Sequence, residues 1–127
     1  ASDVYKRQVF EILKSGFSLS DCQFDEWYAD TCHRVRHGIS RLIVMHYGSE
    51  PVATATVLFD DDKSCFLSHI AVRRDMQKNG IGTALLSCTA NLLDNRKITL
   101  ICKENVQRFY INCGFTVAGT AYEIARG

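Results

Sequence analysis

The pattern of apolar positions predicts two helices at the start of the chain. Residues 4–13 and residues 21–38 both repeat apolar side chains with a period close to 3.6. Gly16 is expected to end the first helix, and Ser20 and Asp21 are both suitable N-caps for the second. The expected buried face holds Val9, Ile12 and Leu13 in the first helix and Phe24, Trp27, Tyr28 and Val35 in the second.

The middle of the chain changes to the pattern of β-strands. Residues 42–47, 52–59 and 65–72 are short runs rich in Val, Ile, Leu and Thr. Turn chemistry separates them at residues 48–51 and 60–63, which predicts three consecutive antiparallel strands. The second turn carries three aspartates, and a solvated loop explains them better than a metal site does.

The last third of the chain predicts alternating helices and strands. The expected elements are a helix at 84–93, a strand at 97–102, a short helix at 105–111 and two closing strands at 115–118 and 120–125. The complete order predicts an α/β fold in which helices flank a mixed, mostly antiparallel central sheet.

Length and composition predict one soluble domain spanning residues 1–127. The apolar fraction is 46%, the charged fraction is 23% and the net charge is +1, so neither nucleic acid nor a membrane surface is expected as a partner. No signal peptide or spanning segment is apparent, which favours a cytoplasmic protein. The six scattered cysteines form no C-x-x-C pair and are expected to be reduced thiols.

Residues 77–83, Gln-Lys-Asn-Gly-Ile-Gly-Thr, link a predicted strand to a predicted helix. A glycine-bearing loop at a helix N-terminus presents unpaired N–H groups at the positive end of the helix dipole, which favours a phosphate ligand. The Walker pattern fails because no Lys follows Gly82, and the dinucleotide pattern fails because Leu85 occupies its third glycine position. The pattern that remains is Q-x-x-G-x-G.

Residues 70–86, which contain this pattern, resemble the acetyl-CoA-binding signature of the GNAT superfamily of N-acetyltransferases. Residues 109–115, Phe-Tyr-Ile-Asn-Cys-Gly-Phe, resemble the second hallmark of that family. The resemblance implies the GNAT fold and transfer of acetyl from acetyl-CoA to the primary amine of a small molecule or peptide, by direct attack and without a metal. It also implies that the usual first strand is missing, so that the domain is N-terminally incomplete, and an exposed sheet edge would then allow a homodimer.

The resemblance also assigns site residues. Tyr110 is the implied general acid, and the main chain of Ile70 and Val72 would pair with pantetheine in a gap between two strands. The implied cofactor-binding residues are Ile70, Val72, Gln77, Lys78, Asn79, Gly80, Ile81, Gly82 and Thr83. Two positions depart from the family pattern, since Lys103 replaces a common Asn and Arg74 replaces a common Pro.

The general base and the acceptor remain open from the sequence. Strand alternation places His69 on the face opposite Ile70 unless a bulge intervenes, and loss of the amine proton to bulk water is an alternative. His33 and His37 lie one helical turn apart, and a capping or exposed role is favoured over a metal pair. Carboxylates of the second helix would either hold an amine cation or be solvated: Asp21, Asp25, Glu26 and Asp30.

Two other functional readings fit the same sequence. A non-catalytic acyl-CoA-binding or sensing module would keep the phosphate loop and lack a productive amine site. A truncated, weakly folded piece of a larger acetyltransferase would share both motifs. Loss of turnover with retained acetyl-CoA affinity on removal of the Tyr110 hydroxyl would distinguish an enzyme from a binding module.

Overall fold

The structure, a computed structural model, describes residues 2–126. Its helices are α1 (Ser2–Leu13), α2 (Asp21–Arg36), α3 (Ile81–Leu92) and α4 (Gln107–Asn112). Its strands are β1 (Ser40–Tyr47), β2 (Glu50–Phe59), β3 (Ser64–Val72) and β4 (Lys97–Leu100). The predicted order of elements is confirmed from α1 to α4, and the α/β class with a mixed sheet between helices is confirmed with it.

Helix α2 begins with a capping box. The Ser20 hydroxyl accepts a hydrogen bond from the Gln23 backbone N–H at 3.1 Å, and the Gln23 side chain accepts one from the Ser20 N–H at 2.9 Å. Two of the helix N–H groups that lack an intrahelical acceptor are satisfied in this way. Phe24 is buried as predicted, but Val35 is 40% exposed, so the expected buried face does not reach the last turn.

The sheet has the strand order β1-β2-β3-β4. Strands β1, β2 and β3 are antiparallel, whereas β3 and β4 are parallel. The crossover between the parallel strands contains α3, as the length of a parallel connection requires. Strands β1 and β4 lie at the two edges of the sheet, and the site described below lies near β4.

The core consists of two layers on opposite faces of the sheet. Helices α1 and α2 cover one face, where Val9, Ile12, Leu13 and Phe24 pack with Ala71. Helix α3 covers the other face, and its residues pack against β2, β3 and β4. The three α1 residues are fully buried, which confirms the predicted apolar face of the first helix.

Strand β3 contains a bulge at His69 and Ile70. The register with β2 passes from Thr56↔Ser68 to Thr54↔Ala71, so these two β3 residues oppose Ala55 alone. His69 adopts a φ of 51°, which is uncommon for a residue with a side chain. The extra residue changes the facing of the strand at this point, so simple alternation through His69 does not hold.

The two closing strands predicted at 115–118 and 120–125 are wrong. Residues 115–126 form no helix or strand, and their apolar side chains are exposed: Val117 is 67% exposed, Tyr122 is 92% exposed and Ile124 is 77% exposed. Alternating apolar residues form a strand only when a neighbouring edge and a buried face stabilise them, and a lone hairpin is marginal in water. Among the described residues, none supplies that pairing.

Several boundaries differ from the prediction by one to three residues, and two of them affect the site described below. Helix α3 begins at Ile81, three residues before the predicted start, so three of the seven residues of the glycine-bearing segment belong to the helix. Strand β4 ends at Leu100, two residues early. The prediction of one domain over 1–127 stays a prediction, and its first and last residues lie outside the described ones.

The described helices and cysteines add two facts. No helix within residues 2–126 combines the length and the apolar content needed to cross a membrane. The six cysteines, which all lie in this range, are free thiols.

Candidate active site

A cleft opens where β3 and β4 separate. Their parallel pairing ends at Leu67↔Leu100, whereas β3 continues to Val72 and the chain after β4 turns away. The resulting cleft has a volume of about 890 Å³. Residues on both diverging strands line it, together with residues of α4, the N-terminus of α3 and the loop after α1.

The N-terminus of α3 forms one end of this cleft. Gly80 is the N-cap residue with φ 74°, and the first helical hydrogen bond runs from Ala84 N–H to Gly80 C=O at 3.1 Å. The N–H groups of Ile81, Gly82 and Thr83 precede that bond, and helix geometry gives them no intrahelical acceptor. They create a positive end to the helix dipole that suits an anion.

Glycine occupies positions 80 and 82 for different structural reasons. A Cβ at Gly80 would meet nothing within 4 Å, so glycine is required there by the left-handed backbone. A Cβ at Gly82 would lie 3.1 Å from Cζ of Phe109 and 3.8 Å from Val72. Close packing of α4 against α3 therefore explains Gly82 in addition to any approach of a ligand.

Gln77 fixes the start of the segment to the end of β3. Its side-chain amide donates a hydrogen bond to the Val72 carbonyl at 3.1 Å. The side chain is therefore engaged with the protein through one amide hydrogen, and its second amide hydrogen, its carbonyl oxygen and the main chain of Gln77 are left for a ligand. The bond holds the loop against the strand that forms the wall of the cleft.

Seven of the ten residues assigned from the sequence line the cleft: Ile70, Val72, Gln77, Gly80, Gly82, Thr83 and Tyr110. The other three, Lys78, Asn79 and Ile81, do not line it. Lys78 and Asn79 are exposed on the loop, and Ile81 packs against the core. These three residues would contact a ligand only through their backbone N–H groups or, for Lys78, through its long side chain.

Tyr110 is half-buried in the wall formed by α4. Its ring makes edge contacts with Phe109 at 5.1 Å and with Phe115 at 5.8 Å between centroids. Burial raises the pKa of the Tyr110 phenol above its usual value of 10.0, and the neighbouring thiols Cys102 and Cys113 raise it further. The hydroxyl is therefore protonated at neutral pH and can act as a proton donor.

The geometry after Tyr110 explains the F-Y-x-x-x-G-F spacing. Gly114 adopts φ 100°, which turns the chain back at the end of α4. The Phe115 N–H then donates to the Tyr110 carbonyl at 3.0 Å, and the Phe115 ring packs on the Tyr110 ring. The glycine and the second phenylalanine thus fix the position of the tyrosine.

The bulge brings His69 to the cleft. Its ring lines the cleft, and its Nδ1 lies 3.1 Å from the Ser68 hydroxyl. Desolvation lowers the pKa of His69 below its usual value of 6.5, and the nearby charge of Arg34 lowers it further. His69 is therefore neutral at neutral pH and can accept a proton.

Several lining residues carry no sequence signal. Phe17, in the loop after α1, lines the end of the cleft near His69, and Cys102 and Lys103 line the side formed by the segment after β4. Phe17 belongs to no motif, and only its closeness to β3 in the folded chain identifies it as a residue that lines the cleft. The sequence marks Lys103 only as a departure from the family pattern.

The structure explains why Arg74 stands at the position where the family pattern commonly has Pro. The Arg74 N–H donates to the Ser15 hydroxyl at 3.0 Å, which joins the segment after β3 to the loop after α1. Proline has no N–H and could not make this bond. Arg73, next to it, forms ion pairs with Glu50 at 3.2 Å and Asp75 at 2.7 Å.

Other candidates from the sequence lie elsewhere. His37 ends α2, and its Nδ1 lies 2.9 Å from the His33 carbonyl, which confirms the capping role. Within residues 2–126 no group of three or more His, Cys, Asp or Glu side chains is arranged to hold a metal ion. The α2 carboxylates are exposed and do not line the cleft, and that of Asp25 pairs with Lys6 at 2.9 Å.

Comparisons with solved structures identify the fold. The structure resembles glucosamine-6-phosphate N-acetyltransferase from Arabidopsis thaliana, with a TM-score of 0.63, 18% identity and coverage of 99% of this chain and 92% of that chain. It resembles a predicted acetyltransferase from Clostridium acetobutylicum, determined with acetyl-CoA, with a TM-score of 0.71, 15% identity and coverage of 97% and 88%. A putative acetyltransferase from Agrobacterium tumefaciens gives a TM-score of 0.70, 21% identity and coverage of 98% and 94%.

A sequence comparison identifies the family. The search of curated proteins gave no significant match. The family model described as the acetyltransferase (GNAT) domain matches residues 38–117, which are more than half of the chain and include both motifs. The chain therefore belongs to the GNAT acetyltransferase family and is an acyltransferase.

Proposed function

We propose that this acyltransferase uses acetyl-CoA as the donor and transfers the acetyl group to a primary amine by direct attack. The observation that carries the proposal is the split between β3 and β4, which joins the N-terminus of α3 to Tyr110 and His69 in one cleft. An extended donor with an anion at one end and a reactive thioester at the other matches this arrangement.

The donor would lie along the diverging strands. The free N–H groups of Ile81, Gly82 and Thr83 would bind the pyrophosphate at the α3 end. Beyond Leu67, β3 no longer pairs with β4, so the main chain of Ile70 and the N–H of Val72 are available to the amides of pantetheine, in the manner of a partner strand. The structure of the Clostridium relative was determined with acetyl-CoA, which supports this choice of donor.

Tyr110 and His69 supply the two proton transfers. His69, neutral at neutral pH, would take the proton from the attacking amine as the C–N bond forms. Tyr110 would give its proton to the departing sulfur as the C–S bond breaks. The backbone N–H of Ile70, inside the bulge, would polarise the carbonyl. The net change moves one proton from nitrogen to sulfur, and exchange with solvent restores both side chains.

Two measurements test the proposal. Isothermal titration should detect acetyl-CoA binding and show weaker binding of dephosphorylated or pyrophosphate-free analogues. Mass spectrometry of reactions with a panel of primary amines should then show products heavier by one acetyl group, with release of free CoA. Binding without any acetylated product would favour a non-catalytic acyl-CoA-binding module, and preferential binding of a nicotinamide or triphosphate nucleotide would overturn the choice of donor.

A further inference from the structure

We propose that the acceptor is a monoamine on an aromatic or apolar body, which Phe17 and the His69 wall of the cleft would select over polyamines. This proposal rests on the proposed function, since it concerns the acceptor of that reaction. It adds a substrate class and a residue, Phe17, that neither sequence motif contains.

The position of Phe17 places it on the acceptor side. The donor would enter from the α3 end and run along β3 to the bulge. Phe17 and His69 both line the cleft, and their ring centroids are 5.4 Å apart. An amine that gives its proton to His69 therefore lies beside the Phe17 ring, which is 36% exposed.

The wall behind His69 is aromatic and rigid. The Trp27 ring lies 5.0 Å from the His69 ring, and the buried Phe24 ring lies 5.8 Å from Trp27. Phe24 in turn stacks on Phe10 at 4.5 Å, so the cluster extends into the packed layer under α1 and α2. This cluster backs the His69 ring, which with Phe17 presents a fixed apolar surface to the cleft and favours a planar or apolar substrate group.

The charges near this end disfavour a second cation. Among the described residues that line the cleft there is no Asp or Glu. The α2 carboxylates are exposed away from it, whereas Arg34 lies close enough to His69 to affect its charge state. A second ammonium group would therefore find a guanidinium and no carboxylate, and like charges in a partly desolvated site repel.

The first experiment compares acceptors at saturating acetyl-CoA by the rate of CoA release. We expect kcat/KM for 2-phenylethylamine and tryptamine to exceed that for spermidine by about tenfold or more, since a buried ring adds apolar contact. Faster turnover of spermidine would overturn the substrate class and leave the proposed function intact. Absence of turnover with every amine, despite acetyl-CoA binding, would reject the proposed function itself and this inference with it.

The second experiment tests Phe17. Phe17→Ala should raise the KM for 2-phenylethylamine about fivefold or more, while the KM for propylamine and the Kd for acetyl-CoA stay within about twofold. Phe17→Leu should recover part of the loss. Tyr122→Ala is the control, because Tyr122 is 92% exposed and does not line the cleft. Equal KM changes for both amines, or an unchanged KM for 2-phenylethylamine, would contradict a selecting role.

Discussion

The side-chain amide of Gln77 donates a hydrogen bond to the main-chain carbonyl of Val72, across 3.1 Å. The glutamine of the loop motif thus acts on the protein itself, through one of its two amide hydrogens. It ties the loop before α3 to the last residue of β3, which is the strand that forms one wall of the cleft. The N–H groups at the start of α3 are thereby held in position before any anion arrives.

Gln77→Glu is expected to raise the Kd for acetyl-CoA about fivefold, because a carboxylate cannot donate to the Val72 carbonyl and a hydrogen bond contributes about 1 kcal/mol. Isothermal titration measures the change. Asn91→Asp is the matched control, since it adds the same charge at an exposed position of α3 outside the cleft. An equal loss of affinity in both variants would assign the effect to charge alone.

Tyr110→Phe is expected to lower kcat about 10²-fold and to leave the Kd for acetyl-CoA within about twofold, because it removes the proton donor and keeps the ring packing. The raised pKa of the Tyr110 phenol places the alkaline fall in kcat above pH 10.0 in the parent enzyme. A pre-steady-state assay distinguishes loss of chemistry from slow product release. Unchanged kcat in the variant would remove Tyr110 from the reaction.

The pKa of His69 predicts an acidic limb in the rate profile. A general base acts when it is neutral, so kcat/KM should rise as pH increases through a value below 6.5, and the rise should be complete at neutral pH. Rates are divided by the concentration of neutral amine, so that ionisation of the acceptor does not contribute to the pH profile. His69→Gln should lower kcat about 10²-fold and abolish the limb. Persistence of the limb in that variant would assign the proton transfer to water or to another group.

Alanine substitutions at Gly80 and Gly119 can be compared to measure how much a left-handed backbone at Gly80 costs in free energy of unfolding. A Cβ at either residue would meet nothing within 4 Å, but only Gly80 has a left-handed φ, of 74°. Gly80→Ala should lower the free energy of unfolding by about 1 kcal/mol, Gly80→Asn by less, and Gly119→Ala by very little. Urea denaturation without ligand measures all three. Equal effects of the two alanine variants would contradict a backbone origin.

The sequence predicted the fold wherever a pattern was sustained by local chemistry. The α1 face, the N-cap of α2 and the β1 to β3 meander follow from periodicity, from Ser20 and from turn residues. The prediction of the closing strands failed because residues 115–126 carry an alternating pattern but pair neither with the open edge of β4 nor with each other. Strand formation depends on that partner, and a single segment of sequence does not contain it.

The site was predicted less completely than the fold. The two motifs identified Gly80, Gly82 and Tyr110 because each has a local reason that spacing reveals. The face of β3 on which His69 lies depends on one extra residue in β3 relative to β2. The alternating sequence pattern does not reveal where such an extra residue occurs. Phe17 reaches the cleft only through the packing of the loop after α1, which has no local signature.

The unequal lengths of β3 and β4 have a consequence for amide hydrogen exchange. Up to Leu67, β3 has a strand on each side; beyond it, the edge toward β4 is open, and the β3 N–H groups that point away from β2 face the cleft. A donor in the cleft would act as a removable strand, so those amides of residues 68–72, and amides of residues 100–103, should exchange rapidly without acetyl-CoA and slowly with it. Amides of β1 and β2 should exchange at the same rate in both states, which makes β3 a strand whose outer half gains protection only when substrate is bound.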